Sequence, residues 1–120
     1  MRVELVRDYG FEAAHQLPSM PEGHRCRRLH GHSFRIQVTV AGEMDERTGM
    51  LVDFEELDRV IAPLIESLDH RYLNDLDGLD NPTSEVLAGW LWRRLRPSLP
   101  SLAAITVAET AEARCTVRGE

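Results

Sequence analysis

The chain has 120 residues, the size of one domain, and its 42% hydrophobic content is too high for a disordered protein. Its formal net charge of -6 at pH 7 argues against a general nucleic-acid binder, which usually carries a basic surface. The sequence opens without an apolar leader and contains no run of about 18 apolar residues. We therefore expect a single domain over residues 1–120, no membrane span, a cytoplasmic location and free thiols at Cys26 and Cys115, although two cysteines also allow one disulfide.

The first third of the chain predicts two strands separated by a polar loop. Apolar and polar residues alternate over residues 3–14, which is typical of a half-buried strand. Arg7 breaks this pattern because it falls on the apolar side. Two prolines and a glycine mark residues 16–29 as a loop, and a cleaner alternation over residues 33–40 predicts the second strand.

The middle of the chain predicts two helices. Apolar residues recur at helical spacing over residues 54–68, and Asp53 stands where an N-cap is expected. Pro63 lies inside this pattern, and we expect it to kink or split the helix because it lacks a backbone donor. Thr83 or Ser84 can cap a second helix that ends before a pair of prolines.

The remaining segments complete an α+β fold. Residues 69–82 are expected to form a loop between the helices, and residues 104–109 and 114–118 indicate a closing pair of strands. The order ββααββ predicts a four-stranded antiparallel sheet with two helices on one face. An open sheet leaves strand edges that must be covered or paired, so oligomerisation through the sheet is a natural outcome.

Three histidines are predicted to converge at one end of this sheet. His15 ends the first predicted strand, and His30 and His32 precede the second. If the two strands pair antiparallel, these ends meet, and strand parity directs all three side chains to the face of the apolar residues. Three imidazoles on one face suit Zn²⁺ and leave a fourth position open, as in a catalytic site. The alternative is three unrelated surface histidines.

Cys26 lies four residues before His30 and has two possible roles. It could be a fourth zinc ligand that closes a structural site, or a nucleophile or base held beside the metal. A nearby cation, together with Arg25, Arg27 and Arg28, would lower its thiol pKa. The pattern leaves both roles open. The same arginines could clamp a phosphate chain or form a solvated basic loop.

Two further groups of residues are candidates for chemistry. Asp69 and His70 could be a carboxylate and a general acid or base, but the pair is equally typical of a helix C-terminus, which taken alone is the simpler interpretation. Glu109 stands at the end of an apolar strand, where a carboxylate can accept two hydrogen bonds from an amidine-like edge such as a pterin presents. An ordinary solvated strand end is the alternative.

Taken together, these motifs resemble the 6-pyruvoyltetrahydropterin synthase family over essentially the whole chain. A cysteine four residues before His-Gly-His is typical of the branch that forms carboxytetrahydropterin in the queuosine pathway. The motifs that carry the resemblance occur in the family's order: residues 11–15 (FEAAH), 26–32 (CRRLHGH), 68–70 (LDH), 81–85 (NPTSE), 107–110 (VAET) and 118–120 (RGE).

The resemblance implies a tunnelling fold, in which subunits join their sheets into a barrel, usually as trimers that pair into hexamers with active sites between subunits. It also implies residue roles. These are zinc ligands at His15, His30 and His32, the catalytic cysteine at Cys26, relay partners at Asp69 and His70, a pterin anchor at Glu109 that could join the relay, and contacts to a pterin on a neighbouring subunit at Thr83 and Ser84. Phosphate binding by Arg27 and Arg28 is not part of the family motif and is a separate hypothesis.

The implied reaction converts 7,8-dihydroneopterin triphosphate to 6-carboxy-5,6,7,8-tetrahydropterin, with release of acetaldehyde and triphosphate, in 7-deazaguanine biosynthesis. Zinc would act as a Lewis acid and Cys26 as the base. Two alternatives stay open. One is the pyruvoyl-forming relative, which does not cleave the carbon–carbon bond. The other is a zinc-stabilised binding module in which Cys26 and the three histidines are four ligands.

Overall fold

The computed structural model describes residues 1–119, and five strands and two α-helices make up this part of the chain. Glu120, the last residue of the family-like ending, lies outside the described residues. The elements in chain order are β1 Arg2–His15, β2 His30–Glu43, α1 Phe54–Glu66, β3 Arg71–Tyr72, α2 Ser84–Leu95, β4 Leu102–Thr110 and β5 Ala113–Val117, with short 3-10 turns at Arg25–Arg27, Leu73–Asp75 and Arg96–Ser98.

The strands form one mixed sheet in the order β3-β1-β2-β4-β5. The four long strands are antiparallel to their neighbours, as predicted, but β3 pairs in parallel with the end of β1. The expectation of four antiparallel strands was therefore wrong by one strand. A two-residue strand has too few positions to show alternation, and β3 forms only because the preceding turn is hydrogen-bonded to β1.

Both helices cover the same face of the sheet, as predicted. α1 packs against β1, and α2 packs against β4 and β5. Each fully buried aliphatic side chain in this layer contributes roughly 1.5–3 kcal/mol of hydrophobic stabilisation. The centre of the core is formed by inward-facing strand residues and the apolar stripes of both helices: Phe34, Ile36, Val38, Ile105, Val107, Leu57, Ile61, Leu87 and Leu91.

The irregular position in β1 has a structural reason. The Arg7 guanidinium donates two hydrogen bonds to the Asp58 carboxylate of α1, at 3.0 and 2.8 Å, and the Tyr9 hydroxyl donates a third at 2.6 Å. Arg7 therefore keeps the parity of its strand and ties β1 to the helix above it. Hydrogen bonds from Arg7 and Tyr9 lower the pKa of Asp58 to about 2.

The helix boundaries follow from caps. The Asp53 side chain accepts a hydrogen bond from the Glu55 amide, and the Thr83 hydroxyl accepts one from the Val86 amide, so the cap of α2 is Thr83 rather than Ser84. α1 runs unbroken through Pro63, which therefore does not split it. Pro63 lies in the last turn of α1, where it interrupts few hydrogen bonds.

The sheet has two open edges. β3 pairs only with Ala13 and Ala14, so residues 2–12 of β1 have no strand on their outer side among residues 1–119. β5 forms the other edge. The part of the chain that the structure describes contains no helix that is long and apolar enough to cross a membrane.

Candidate active site

Three histidine side chains converge at the end of the sheet, where β1 stops and β2 starts. His15 and His30 are direct cross-strand neighbours, and His32 stands opposite Ala13. One ring nitrogen from each of the three histidines lies within 4.8 Å of the other two, and the ring centroids are 4.5 to 5.0 Å apart. The structure brings the three residues together as parity predicts, and they could hold a metal ion.

Hydrogen bonds to backbone carbonyls orient two of the three rings in a way that suits metal binding. The Nδ1 atom of His15 lies 2.9 Å from the Pro82 carbonyl oxygen, and that of His30 lies 2.7 Å from the Arg28 carbonyl oxygen. Because a carbonyl can only accept, Nδ1 is the donor and Nε2 keeps its lone pair. Such backbone partners orient the histidine ligands of metal sites.

Two ring nitrogens of the cluster have no hydrogen-bond partner among the described residues. The Nε2 atoms of His15 and His32 are buried and make no hydrogen bond in the described residues. Buried polar atoms are rarely left unsatisfied, so a group that takes up these lone pairs is expected. The donor set of three neutral imidazoles fits a divalent metal such as zinc.

The environment favours the neutral form of two of these imidazoles, His15 and His32. His15 is fully buried, and desolvation lowers its pKa against the smaller raising effect of the Pro82 carbonyl. Desolvation also lowers the pKa of His32, with Glu109 acting in the opposite direction. The Glu109 carboxylate approaches to 3.9 Å from His32 Nε2, which is too long for a hydrogen bond. The predicted strand-end carboxylate thus lies beside the histidine cluster.

Cys26 lies on a 3-10 turn that is attached to the end of β1. Its carbonyl oxygen accepts a hydrogen bond from the Leu17 amide at 2.9 Å, and its amide donates to His24 Nδ1 at 3.1 Å. The thiol is half-buried and unoxidised, as is that of Cys115. Among the described residues, the converging ligand atoms come from the three histidines without Cys26.

Asp69 and His70 form a pair at the other side of β1. The Asp69 carboxylate accepts from the Glu12 amide at 2.9 Å and lies 2.8 Å from His70 Nδ1, while the His70 amide donates to the Glu12 carbonyl oxygen. The Glu12 amide and, secondly, His70 lower the pKa of Asp69. α1 ends at Glu66 with Ser67 as its C-cap, so Asp69 and His70 lie beyond the helix cap that the sequence alone favoured for them.

His70 has an unusual backbone. Its φ of 57° lies in the left-handed region, which a residue with a side chain rarely adopts. Strained positions of this kind cluster at functional sites. The ring is mostly exposed and lines a cavity of about 590 Å³ together with Glu12, Arg71 and Tyr72, and His32 of the histidine cluster lines the same cavity. Neither Cys26 nor Glu109 lines this cavity.

The remaining predicted residues have identifiable contacts. The Thr83 hydroxyl caps α2, and Ser84 is the first residue of that helix. The Arg27 guanidinium donates to the carbonyl oxygens of Pro18 and Met20, within its own loop. Arg28 is exposed, and its carbonyl oxygen accepts the hydrogen bond from His30 Nδ1 described above.

Sequence reasoning missed the residues that hold the site together. Pro82 orients His15, and Gln16, Tyr72 and Asn74 connect the ends of the surrounding segments. Gln16, Tyr72 and Asn74 carry no motif, and Pro82 lies in the 81–85 motif without a role assigned to it, because the importance of these residues comes from which groups lie opposite them in the fold.

Comparisons with known proteins identify the family. The family model described as 6-pyruvoyl tetrahydropterin synthase matches residues 4–120. The chain belongs to this family. In sequence, it is 46% identical over 112 residues to the 6-carboxy-5,6,7,8-tetrahydropterin synthase of Synechocystis, which covers 88% of this chain and 85% of the relative. The family assignment confirms the prediction of an enzyme of this family.

Two other relatives show the breadth of the family. The chain is 31% identical over 127 residues to the 6-carboxy-5,6,7,8-tetrahydropterin synthase of Bacillus subtilis, with 96% of this chain and 84% of the relative covered. It is 36% identical over 100 residues to the dihydroneopterin monophosphate aldolase of Pyrococcus furiosus, with 83% and 81% covered. Relatives that carry different activity names therefore have similar sequence identities to this chain, 31% and 36%.

The fold agrees with a solved family structure. The 6-pyruvoyl tetrahydropterin synthase of Caenorhabditis elegans superposes with a TM-score of 0.91 at 26% identity, over 100% of this chain and 97% of that one. The five-stranded mixed sheet with two helices is thus the architecture of this family.

Proposed function

We propose that this chain is a zinc-dependent carbon–carbon lyase that converts 7,8-dihydroneopterin triphosphate to 6-carboxy-5,6,7,8-tetrahydropterin, in 7-deazaguanine and queuosine biosynthesis. The observation that supports this most is the set of three imidazoles whose ligand nitrogens lie within 4.8 Å of one another, with the buried Nε2 atoms of His15 and His32 making no hydrogen bond among the described residues. The activity for which the Synechocystis relative is named, at 46% identity, supports the choice of this reaction among those of the family.

In this proposal His15, His30 and His32 hold Zn²⁺, and the metal supplies Lewis-acid polarisation of the hydroxyl groups on the substrate side chain. The backbone hydrogen bonds of His15 and His30 keep the lone pairs of their Nε2 atoms available. Desolvation favours neutral rings at His15 and His32 before the metal enters. The chain therefore needs little rearrangement to form the site.

Cys26 is proposed as the base that removes a proton from the side-chain carbon next to the pterin ring. Protonation of the ring then completes an internal transfer of an electron pair, so the ring is reduced while the side chain is oxidised and no nicotinamide is required. Triphosphate leaves by elimination. Addition of one water and cleavage of the next carbon–carbon bond release acetaldehyde and leave the carboxylate on the ring.

Asp69 and His70 are proposed as the proton relay. Asp69 accepts the proton of His70 Nδ1, which leaves Nε2 as the nitrogen that exchanges protons with the substrate. The lowered pKa of Asp69 keeps its carboxylate ionised and able to orient the ring. Because His70 lines a cavity that Cys26 does not line, the pair is proposed to work with the Cys26 of a neighbouring subunit.

Substrate contacts are proposed for the remaining predicted residues. Glu109 would accept two hydrogen bonds from the amidine-like edge of the pterin, and its place 3.9 Å from His32 supports a pterin lying beside the metal. Thr83 and Ser84 would contact a pterin held by a neighbour. Arg27 and Arg28 would bind the triphosphate, although the contacts of Arg27 with its own loop favour Arg28 for that task.

The proposal includes a homo-oligomer built from trimers, most simply a hexamer, with the whole chain as one pterin-synthase domain in the cytoplasm. The two open sheet edges support assembly, since unpaired edges invite pairing with another copy. Light scattering of the purified protein tests the oligomer, and a monomer at micromolar concentration would contradict it.

The activity is tested by incubating the zinc-loaded protein with 7,8-dihydroneopterin triphosphate and analysing the pterin by mass and the released aldehyde by assay. Carboxytetrahydropterin with acetaldehyde is the expected result. A pyruvoyl product without acetaldehyde would assign the sister activity, and no turnover with metal present would favour a binding module. Cys26→Ala should abolish turnover and keep zinc, whereas loss of zinc would make Cys26 a ligand.

A further inference from the structure

Gln16 is bonded through all four of its polar groups. Its amide donates to Asn74 Oδ1 at 2.9 Å, and its carbonyl oxygen accepts from Asn74 Nδ2 at 2.8 Å. Its side-chain oxygen accepts from the Tyr72 hydroxyl at 2.6 Å, and its side-chain nitrogen donates to the Arg27 carbonyl oxygen at 3.2 Å. Because the Arg27 carbonyl can only accept, the side-chain amide has one consistent orientation.

These four bonds join three segments that are far apart in sequence. Gln16 directly follows His15, Tyr72 is two residues beyond His70, and Arg27 directly follows Cys26. Asn74 also donates to the Asp80 carbonyl oxygen at 3.3 Å, which extends the connection toward the start of α2. The half-buried Gln16 side chain is therefore the link between β3 and the Cys26 turn.

The Cys26 turn is held mainly by hydrogen bonds. Its backbone is bound to the end of β1 through the Leu17 amide and the Gln16 side chain, while its bond with His24 is internal to the turn. Further hydrogen bonds join the Arg27 guanidinium to its own loop and the Arg28 carbonyl oxygen to His30. Because the arginines of the turn are exposed, its position depends on these hydrogen bonds more than on packing, and the one from Gln16 is the side-chain bond from the end of β1.

We propose that Gln16 is a positioning residue that holds the Cys26 thiol in place relative to the histidine cluster through the Tyr72–Gln16–Arg27 chain of hydrogen bonds. This inference rests on the proposed function in taking Cys26 as the reactive group. An amide is suited to the task because it accepts from Tyr72 and donates to Arg27 at once, which neither a carboxylate nor an aliphatic side chain can do.

The experiment measures the alkylation rate of Cys26 by iodoacetamide, with peptide mapping by mass spectrometry and Cys115 as an internal reference. Gln16→Leu should raise the Cys26 rate about fivefold, the effect on loop opening of losing one net hydrogen bond, and leave the Cys115 rate and the zinc content unchanged. Gln37→Leu is the matched control on β2, where no described residue hydrogen-bonds the glutamine side chain, and it should behave as wild type.

Two further variants separate positioning from general destabilisation. Tyr72→Phe removes one hydroxyl and should raise the Cys26 rate in the same direction, and adding it to Gln16→Leu should have no further effect because that bond is already lost. In turnover, Gln16→Leu should lower kcat with little change in KM, and Gln16→Glu should not rescue it. If Gln16→Leu does not fold, the Cys26 alkylation rate of Tyr72→Phe tests the inference by itself.

An unchanged Cys26 rate in both variants, or equal acceleration of Cys26 and Cys115, would overturn the inference. Alkylation does not depend on turnover, so the two proposals fail separately. Wild type without lyase activity would refute the proposed function, whereas the variant rates would still report on the hydrogen-bond chain.

Discussion

The carbonyl oxygen of Pro82 lies 2.9 Å from Nδ1 of His15, and this contact connects the start of α2 to the end of β1. Pro82 is buried, and Thr83 after it caps the helix with its hydroxyl group. The position of α2 thus determines the orientation of an imidazole that comes from a different part of the chain. This hydrogen bond therefore couples the placement of α2 to the orientation of a candidate metal ligand.

The histidine cluster predicts a sharp dependence of metal binding on each ring. His15→Ala should weaken zinc binding by more than the roughly 10–100-fold that loss of an outer hydrogen-bond partner causes, because a ligand itself is removed. Equilibrium dialysis with metal analysis measures this effect. His24→Ala is the control, since His24 lies outside the cluster, and it should keep one zinc per chain. Equal loss in both variants would contradict a three-histidine site.

The Arg7–Asp58 pair predicts acid-dependent stability. The folded pKa of Asp58 is lowered from 3.8 to about 2, so the unfolded chain binds the proton more readily. The stabilisation by this carboxylate is therefore complete above about pH 4 and is lost as the pH falls through 2. Asp58→Asn should flatten the dependence of unfolding free energy on pH between 4 and 2, measured by urea titration.

Asp8→Asn provides the matched control for this experiment. It removes one carboxylate from β1, the strand that carries Arg7, and makes the same change in net charge, but it leaves the pair of Arg7 and Asp58 intact. It should keep the wild-type acid dependence. A wild-type dependence in Asp58→Asn as well would show that the pair does not contribute.

Variants at the cap of α2 can distinguish a role in stability from a role in substrate binding. Thr83→Ala should lower the unfolding free energy by about 1 kcal/mol through loss of the hydrogen bond to the Val86 amide. Thr83→Ser keeps the hydroxyl and should restore it, while Ser84→Ala should have little effect on stability. If Thr83 also contacts the pterin through its hydroxyl, Thr83→Ala raises KM and Thr83→Ser does not, and an unchanged KM in Thr83→Ala would limit its role to the cap.

The two arginines of the Cys26 turn should respond differently. Arg28→Ala should raise KM for the triphosphate substrate about tenfold through loss of a charge-assisted hydrogen bond. Arg27→Ala removes the contacts to Pro18 and Met20 and should mainly lower kcat by loosening the turn. Arg59→Ala, an exposed residue of α1, controls for net charge. Unchanged KM in both turn variants would remove the phosphate role.

Much of the fold was predictable because it depends on local patterns. Alternation in β1 and β2 follows from one buried face, and α1 and α2 follow from apolar spacing with caps at Asp53 and Thr83. The strand β3 was not predictable, since two residues carry no period and the segment depends on the bonds of Asp69 and His70 with Glu12.

The same distinction between local pattern and tertiary contact applies to the candidate site. The sequence by itself determined that the three histidines share one face, because parity in two antiparallel strands fixes the direction of their side chains, and it offered Cys26, four residues before His30, as a candidate beside them. Tertiary structure decided what surrounds them: the Pro82 carbonyl on His15, the Gln16 link and the left-handed His70. Those features depend on backbone groups brought together from distant segments, and a backbone carbonyl or amide is the same at every position of a sequence.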